Sequence, residues 1–128
     1  MAGQLSACVV EDNPHIRENL VGALEELTCV RVVASAATEE AGLAWLKEHG
    51  DAWDLAIVDL FLGSGNGLHL VQNLDRRPGQ KLVVFSNYLN PTLRMRCAQL
   101  GVDAVFDKSM EIDALVDYCA RLCAARAA

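Results

Sequence analysis

Short apolar runs alternate with longer amphipathic segments along the whole chain. Continuous apolar runs of strand length, rich in β-branched residues, are typical of strands that are buried on both faces. Five such runs occur, and they are SACVVE at 6–11, VRVVASA at 30–36, DLAIVDL at 54–60, KLVVFS at 81–86 and DAVFDK at 103–108. We predict one strand for each run.

A segment with helical periodicity follows each predicted strand. The first, at 13–27, has Pro14 in its first turn and four apolar side chains on one face, Ile16, Leu20, Leu24 and Leu27. In the second segment, Thr38 is a predicted N-cap and Gly50 a predicted stop. The remaining helices are predicted at 68–74, 91–101 and 111–128, and the last of them carries an apolar stripe of Ile112, Leu115, Val116, Cys119, Leu122 and Cys123.

This alternation predicts a parallel sheet with helices on both faces. Because crossovers between parallel strands are right-handed, few doubly wound strand orders remain. The chain of 128 residues is long enough for one domain with a substantial core, and it shows no repeat or interior linker. We therefore predict a single layered α/β domain over residues 1–128.

Composition narrows the function. The formal net charge of −6 argues against direct nucleic-acid binding, which needs clustered Lys and Arg. The apolar runs are too short to span a membrane, and the start of the chain does not have the pattern of a signal peptide. We expect a cytoplasmic protein. Its five cysteines show no metal-site spacing, and we expect them to be reduced core residues.

The chemistry is expected where the strands end. In an open α/β sheet, ligands bind beyond the carboxyl ends of the strands. The polar residues that stand there are Glu11, Asp12, Asp59, Ser86, Asn87, Asp107 and Lys108. Clustered carboxylates stay ionised only beside a cation, and oxygen ligands suit a hard ion such as Mg²⁺. We predict a Mg²⁺ site formed by Glu11, Asp12 and Asp59.

Asp59 is the candidate nucleophile, because it directly follows an apolar strand that would hold its carboxylate at the rim. A carboxylate beside Mg²⁺ can attack phosphorus and become an acyl phosphate. The Lys108 ammonium, the Ser86 hydroxyl and backbone N–H groups would then offset the charge on the phosphoryl oxygens.

Together these motifs resemble the receiver domain of two-component response regulators. EDN at 11–13 resembles the acidic pair after the first strand, and DLAIVDLFL at 54–62 resembles the strand that carries the phosphoacceptor aspartate. Ser86 and Lys108 match the family's hydroxyl and lysine positions, and Gly67 matches its usual glycine. The resemblance covers essentially the whole chain, and it implies a flavodoxin-like (βα)5 fold with strand order 2-1-3-4-5.

The resemblance also implies residue roles and partners. Asp59 would be phosphorylated by a sensor histidine kinase or a phosphotransfer protein. Asp12 and Asp59 would bind Mg²⁺ directly, Glu11 would act through water, and the Phe61 backbone carbonyl would be a further ligand. Ser86 and Lys108 would bond the phosphoryl oxygens. Beyond its own phosphoryl transfer and dephosphorylation the domain would not be an enzyme, and its output would be a protein target or a homodimer.

The chain departs from the family pattern at three positions. Ser109 follows Lys108 where the family commonly has a proline in a cis bond, and Gly63 stands where proline is common after the phosphoacceptor. Val105 occupies a position that usually holds a Tyr or Phe ring, which rotates with the signal. We expect Phe106, one residue later, to face the other side of its strand.

Three other functions compete with a phosphoacceptor switch. A hydrolase or phosphatase with an aspartyl nucleophile is disfavoured, because Leu60 and Phe61 follow Asp59 where a second acid would stand. A flavin or nucleotide binder is disfavoured, because EDNPH at the first turn would repel a phosphate. A receiver-like module that binds partners independently of phosphorylation stays open.

Overall fold

The computed structural model describes residues 4–127, and its five strands form one parallel sheet. The strands are β1 (Leu5–Val10), β2 (Val30–Ala36), β3 (Leu55–Val58), β4 (Lys81–Ser86) and β5 (Ala104–Asp107). They lie in the order β2-β1-β3-β4-β5, which confirms the predicted strand order. The order reverses between β1 and β3, and this reversal leaves a crevice beyond the carboxyl ends of these two strands.

Five helices connect or follow the strands. They are α1 (Pro14–Leu27), α2 (Glu39–Glu48), α3 (Gly67–Asn73), α4 (Pro91–Gln99) and α5 (Ile112–Ala127). Side-chain oxygens cap the first four helices by accepting from backbone N–H groups of the first turn, and these caps are Asn13, Thr38, Asn66 and Asn90. The predicted N-cap at Thr38 is confirmed, and α2 ends two residues before Gly50.

The core has two layers, one on each face of the sheet. Successive strand residues alternate between the layers, because side chains along a strand point to opposite faces. One layer holds Cys8 and Val10 and packs against Leu46, Leu70 and Cys97 of α2, α3 and α4. The other holds Ala7 and Val9 and packs against Leu20, Leu24, Leu115 and Cys119 of α1 and α5. Helices therefore cover both faces, as predicted.

The two layers also test expectations for single residues. Val105 packs with the first layer and Phe106 with the second, which confirms that they face opposite sides of β5. Leu27 was expected on the apolar face of α1, but 64% of it is exposed. It is the last residue of α1, beyond Leu24, the last buried residue of that helix. No helix among residues 4–127 is long and apolar enough to cross a membrane.

The expectation that all five cysteines are reduced is wrong for two of them. Cys29 and Cys123 are joined by a disulfide, although 94 residues separate them in sequence. The pairing arises because the turn after α1 and the end of α5 meet on the same face of the sheet, where α1 packs beside α5. The predicted reduced state holds for Cys8, Cys97 and Cys119, which are free and buried.

Candidate functional site

Four strand ends bring the predicted site residues together at the carboxyl edge of the sheet. The backbone N–H of Asp59 donates to the Val10 carbonyl at 3.0 Å, which places β3 and β1 side by side at their ends. The N–H of Lys108 donates to the Ser86 carbonyl at 3.1 Å and does the same for β5 and β4. Between them lies a cavity of about 190 Å³ lined by Glu11, Asp12, Asn13, Ile16, Asp59, Phe61, Asn87, Tyr88 and Lys108.

The Asp59 carboxylate is held at both oxygens and is only 4% exposed. Its Oδ1 accepts hydrogen bonds from the Ser86 hydroxyl at 2.7 Å and from the Phe61 backbone N–H at 3.0 Å. Its Oδ2 accepts a hydrogen bond from the Lys108 ammonium at 2.8 Å. Donors on three sides fix the direction of this side chain.

Lys108 is the central cation of the site. Its ammonium pairs with Glu11 as well as with Asp59, and all three side chains are buried. Burial lowers the pKa of Lys108, but the two carboxylates outweigh it and raise that pKa above its ordinary value. Burial raises the pKa of Glu11, more than Lys108 and the Asn13 amide lower it. The site is therefore an ion-pair network around Lys108 that is largely removed from water.

The acidic cluster has the composition of a hard-cation site. One oxygen each of Glu11, Asp12 and Asp59 lies within 4.8 Å of the others. Lys108 compensates Glu11 and Asp59 but makes no ion pair with Asp12, whose side chain is half-buried. Asp12 instead accepts a hydrogen bond from the Gly63 N–H at 2.7 Å. Three carboxylates with one ammonium leave excess negative charge, and this set of oxygen donors fits a partly hydrated Mg²⁺.

Comparison with known families decides what kind of domain this is. The family model for the response regulator receiver domain matches residues 7–120. The chain belongs to this family. No curated protein sequence matches the chain.

Solved structures of other receivers have the same fold. A LuxR-family two-component response regulator from Aurantimonas sp. SI85-9A1 gives a TM-score of 0.82 at 21% identity, covering 96% of this chain and 87% of its own. The signal receiver domain of the NarL regulator from Mycobacterium tuberculosis gives 0.74 at 25% identity, covering 92% and 97%. The phosphorylated cyanobacterial phytochrome response regulator RcpA gives 0.74 at 21% identity, covering 93% and 91%.

Gly67 of this receiver has a specific steric role. A Cβ atom built at Gly67 would overlap the Asp59 carbonyl oxygen and lie 2.7 Å from the Leu60 Cα. The Gly67 N–H donates to the Leu60 carbonyl at 3.1 Å, so the start of α3 lies directly against the chain that follows β3. The glycine predicted from the family pattern is therefore needed for the close approach of two backbones.

The hydrogen bond between Asp12 and Gly63 is a site feature that the sequence analysis missed. Gly63 was noted only because the family often has proline there. Proline has no backbone N–H, so it could not make this bond. Nothing in the order of residues indicated that a loop 51 positions away from Asp12 would supply the donor.

The stretch after β5 is also rearranged relative to the family pattern. The Lys108–Ser109 peptide bond is trans, and no cis bond occurs among residues 4–127. The Asp107 carboxylate accepts hydrogen bonds from the Ser109 N–H at 2.8 Å and from the Ser109 hydroxyl. These bonds lower the pKa of Asp107. Asp107 therefore stabilises the turn behind Lys108 rather than joining the acidic cluster.

Two aromatic rings lie at the mouth of the cavity. Phe61 and Tyr88 pack edge to face, with ring centroids 6.1 Å apart. Phe61 is 48% and Tyr88 82% exposed, so the pair lies between the cavity and solvent. Tyr88 has φ of 57°, a left-handed conformation that bulky residues rarely adopt. The loop after β4 is therefore locally strained where it borders the site.

Proposed function

We propose that this receiver is a phosphoacceptor switch in which a sensor histidine kinase or phosphotransfer protein phosphorylates Asp59 with the help of Mg²⁺. One observation carries the proposal. Asp59 is a buried carboxylate at the edge of a three-carboxylate cluster. It touches the buried ammonium side chain of Lys108 and the hydroxyl of Ser86, which is the only buried hydroxyl residue among residues 4–127. That geometry supports nucleophilic attack better than metal storage or nucleotide binding.

The proposed reaction transfers a phosphoryl group from the phosphohistidine nitrogen of the donor to a carboxylate oxygen of Asp59. The P–N bond breaks, and an acyl phosphate forms on Asp59. The lysine now bonded to Oδ2 and the hydroxyl now bonded to Oδ1 are within one side-chain movement of the phosphoryl oxygens. Lys108 would neutralise part of the charge on these oxygens, and Ser86 would donate a hydrogen bond to one of them.

The proposal extends to the ligands of the cation. Asp12 and Asp59 would bind Mg²⁺ directly, Glu11 through water, and the Phe61 backbone carbonyl would complete the protein ligands. Mg²⁺ supplies positive charge to the phosphoryl oxygens in transfer reactions of this type. Glu11 already makes an ion pair with Lys108 and accepts a 3.0 Å hydrogen bond from the Asn13 N–H. These two contacts support its indirect role. Asp12 has only the Gly63 N–H to release.

The proposed output surface is the face formed by α4, β5 and α5. Helix α4 has one buried residue, Cys97, and most of its other side chains are exposed, so little packing opposes its movement. Its Arg94 bonds Glu111 at 3.3 Å, before α5, and thus connects the two helices across β5. A protein target or a second copy of the chain would read this face in the cytoplasm. The domain itself would neither bind nucleic acid nor catalyse another reaction.

A second candidate is a receiver-like module that binds partners without phosphorylation. The observation in its favour is Val105, which lacks the ring that usually follows the signal, in a strand that is otherwise intact. Under this reading the cluster around Lys108 would be a stabilising network only. The two candidates differ in whether Asp59 reacts.

The test is phosphorylation by acetyl phosphate with Mg²⁺, followed by intact-mass measurement. The proposal predicts that wild type gains the mass of one phosphoryl group and that Asp59→Asn gains none. Asp75→Asn is the matched control, because it makes the same change at an exposed loop position and should react like wild type. Equal phosphorylation of wild type and Asp59→Asn would remove Asp59 from this role. No phosphorylation of any variant would favour the second candidate.

A further inference from the structure

The disulfide lies at the end of the domain away from the phosphoacceptor proposed above. Cys29 stands between Thr28, the C-cap of α1, and the first residue of β2, and its carbonyl accepts from the Leu5 N–H at 3.4 Å. Cys123 lies near the end of α5. The bond joins Cα atoms 5.8 Å apart and therefore ties the C-terminal helix to the entry of the first two strands.

Two features separate this pair from the other cysteines. Cys29 and Cys123 are half-buried, whereas Cys8, Cys97 and Cys119 have no measurable exposure. Burial raises the pKa of both Cys8 and Cys119 to about 12. These thiols stay protonated near neutral pH, and a protonated thiol does not attack a disulfide. Cys119, one helical turn before Cys123, is therefore a poor partner for rearrangement.

Few other contacts hold the end of α5. Beyond Cys119 the helix has no buried residue up to position 126, and Leu122 is only half-buried. Among residues 120–126, Leu122 packs against the core from its half-buried position, and Arg126 makes a 2.9 Å ion pair with Asp54 through a side chain that is 46% exposed. Exposed ion pairs contribute little. Opening the disulfide would therefore leave the last turns of α5 with weak anchoring.

We propose that Cys29 and Cys123 are a reversible redox site, whose oxidation fixes the C-terminal end of α5 and whose reduction releases it. In the reducing step, one thiolate of a dithiol reductant attacks a sulfur of the disulfide and forms a mixed disulfide. The second thiol of the reductant then attacks this mixed disulfide and displaces the remaining protein cysteine as a thiolate. Two electrons and two protons end on Cys29 and Cys123 as thiols, and the reductant leaves as its own disulfide. The site requires no phosphorylation of Asp59.

Thiol counting tests whether the bond exists in the protein. The wild type is held in glutathione disulfide and then denatured in the presence of iodoacetamide, which alkylates free thiols. It should take up three labels, on Cys8, Cys97 and Cys119. After dithiothreitol it should take up five. Peptide mapping should recover Cys29 linked to Cys123 only before reduction. Five labels in the oxidised sample, or another pairing, would overturn the proposal.

Hydrogen exchange and thermal unfolding test the consequence. Reduction of wild type should speed amide exchange at 120–127 by at least tenfold, roughly, while β3 and β4 keep their protection. It should lower the melting temperature by about 5–15 °C, since the bond closes a loop of 94 residues. Cys29→Ser and Cys123→Ser should each show the exchange rate and melting temperature of reduced wild type, and dithiothreitol should change neither value. In Cys97→Ala, dithiothreitol should still change both. Unchanged exchange at 120–127 after verified reduction would contradict the anchoring role.

Discussion

The Ser86 hydroxyl, at the end of β4, donates a 2.7 Å hydrogen bond to the Asp59 carboxylate beyond the end of β3. The Ser86 Oγ also accepts a hydrogen bond from the Leu60 N–H at 3.3 Å, and Ser86 has no exposed surface. A buried hydroxyl in two hydrogen bonds cannot move without breaking one of them. A change of charge at Asp59 therefore acts directly on Ser86, the last residue of β4, which stands immediately before the loop that leads into α4.

The close approach at Gly67 gives a stability prediction. Gly67→Ala should lower the free energy of unfolding by about 2–3 kcal/mol, because its methyl group meets the Asp59 backbone, which cannot move aside. Gly22→Ala is the matched control, since nothing lies within 4 Å of a Cβ at that exposed helical position. It should raise the same free energy by about 0.5–1 kcal/mol. Urea denaturation measures both. Equal effects of the two substitutions would contradict the steric account.

The two neighbouring acids should differ in their effect on the cation. Asp12→Ala should weaken Mg²⁺ binding by roughly tenfold or more. The reason is that Asp12 makes no ion pair with Lys108 and is assigned a direct contact with the ion. Glu11→Ala should weaken it less, because Glu11 is assigned a contact through water. Titration calorimetry on both variants and wild type gives the comparison. A larger loss in Glu11→Ala would reverse the two roles.

The ring pair at the cavity mouth should control the lifetime of the acyl phosphate. Phe61 and Tyr88 stand between the cavity and solvent, so they should hinder attacking water. The Phe61→Ala, Tyr88→Ala double variant should lose its phosphoryl group several-fold faster than wild type. Met110→Ala removes a large, 83% exposed side chain that does not line the cavity, and it should not change the rate. The measurement is the decay of phosphorylated protein by intact mass. An unchanged rate in the double variant would show that other groups limit hydrolysis.

The fold could be predicted from the sequence because its signals are local and agree with one another. Each strand is a continuous apolar run, and helix caps such as Thr38 and Asn90 stand directly before periodic segments. The polar residues at the strand ends followed from the topology, since parallel strands deliver their carboxyl ends to one edge. The prediction for Leu27 is wrong because periodicity identifies the apolar face of a helix but does not indicate where along that face burial ends.

What the sequence could not indicate was contact between distant turns. The Cys29–Cys123 bond depends on how α1 and α5 pack side by side, and cysteine spacing carries no such information. The Asp12–Gly63 bond likewise depends on the path of a loop. The double ion pair of Lys108, whose single ammonium contacts both Glu11 and Asp59, likewise became visible only with the distances.

Transmission of the signal gives a prediction about Val105. An aromatic ring at this position would turn inward on activation, but Val105 has no ring and a stiff χ1 angle. We expect the movement to run through the loop at 87–90, whose Tyr88 is already strained, and into α4. Val105→Ala should therefore change phosphorylation-dependent partner binding or dimerisation only slightly, as measured by sedimentation or calorimetry. Abolition of this response would return the role to β5.

The most direct measurement is the change of backbone amide shifts when beryllofluoride, a mimic of the acyl phosphate, is added with Mg²⁺. For wild type and Val105→Ala, we predict shifts around Asp59 that extend through 87–90 into α4. For Ser86→Ala, we predict that the shifts around Asp59 remain and those in α4 are largely lost, while acetyl phosphate still phosphorylates Asp59. Shifts in α4 that persist in Ser86→Ala but vanish in Val105→Ala would contradict the account.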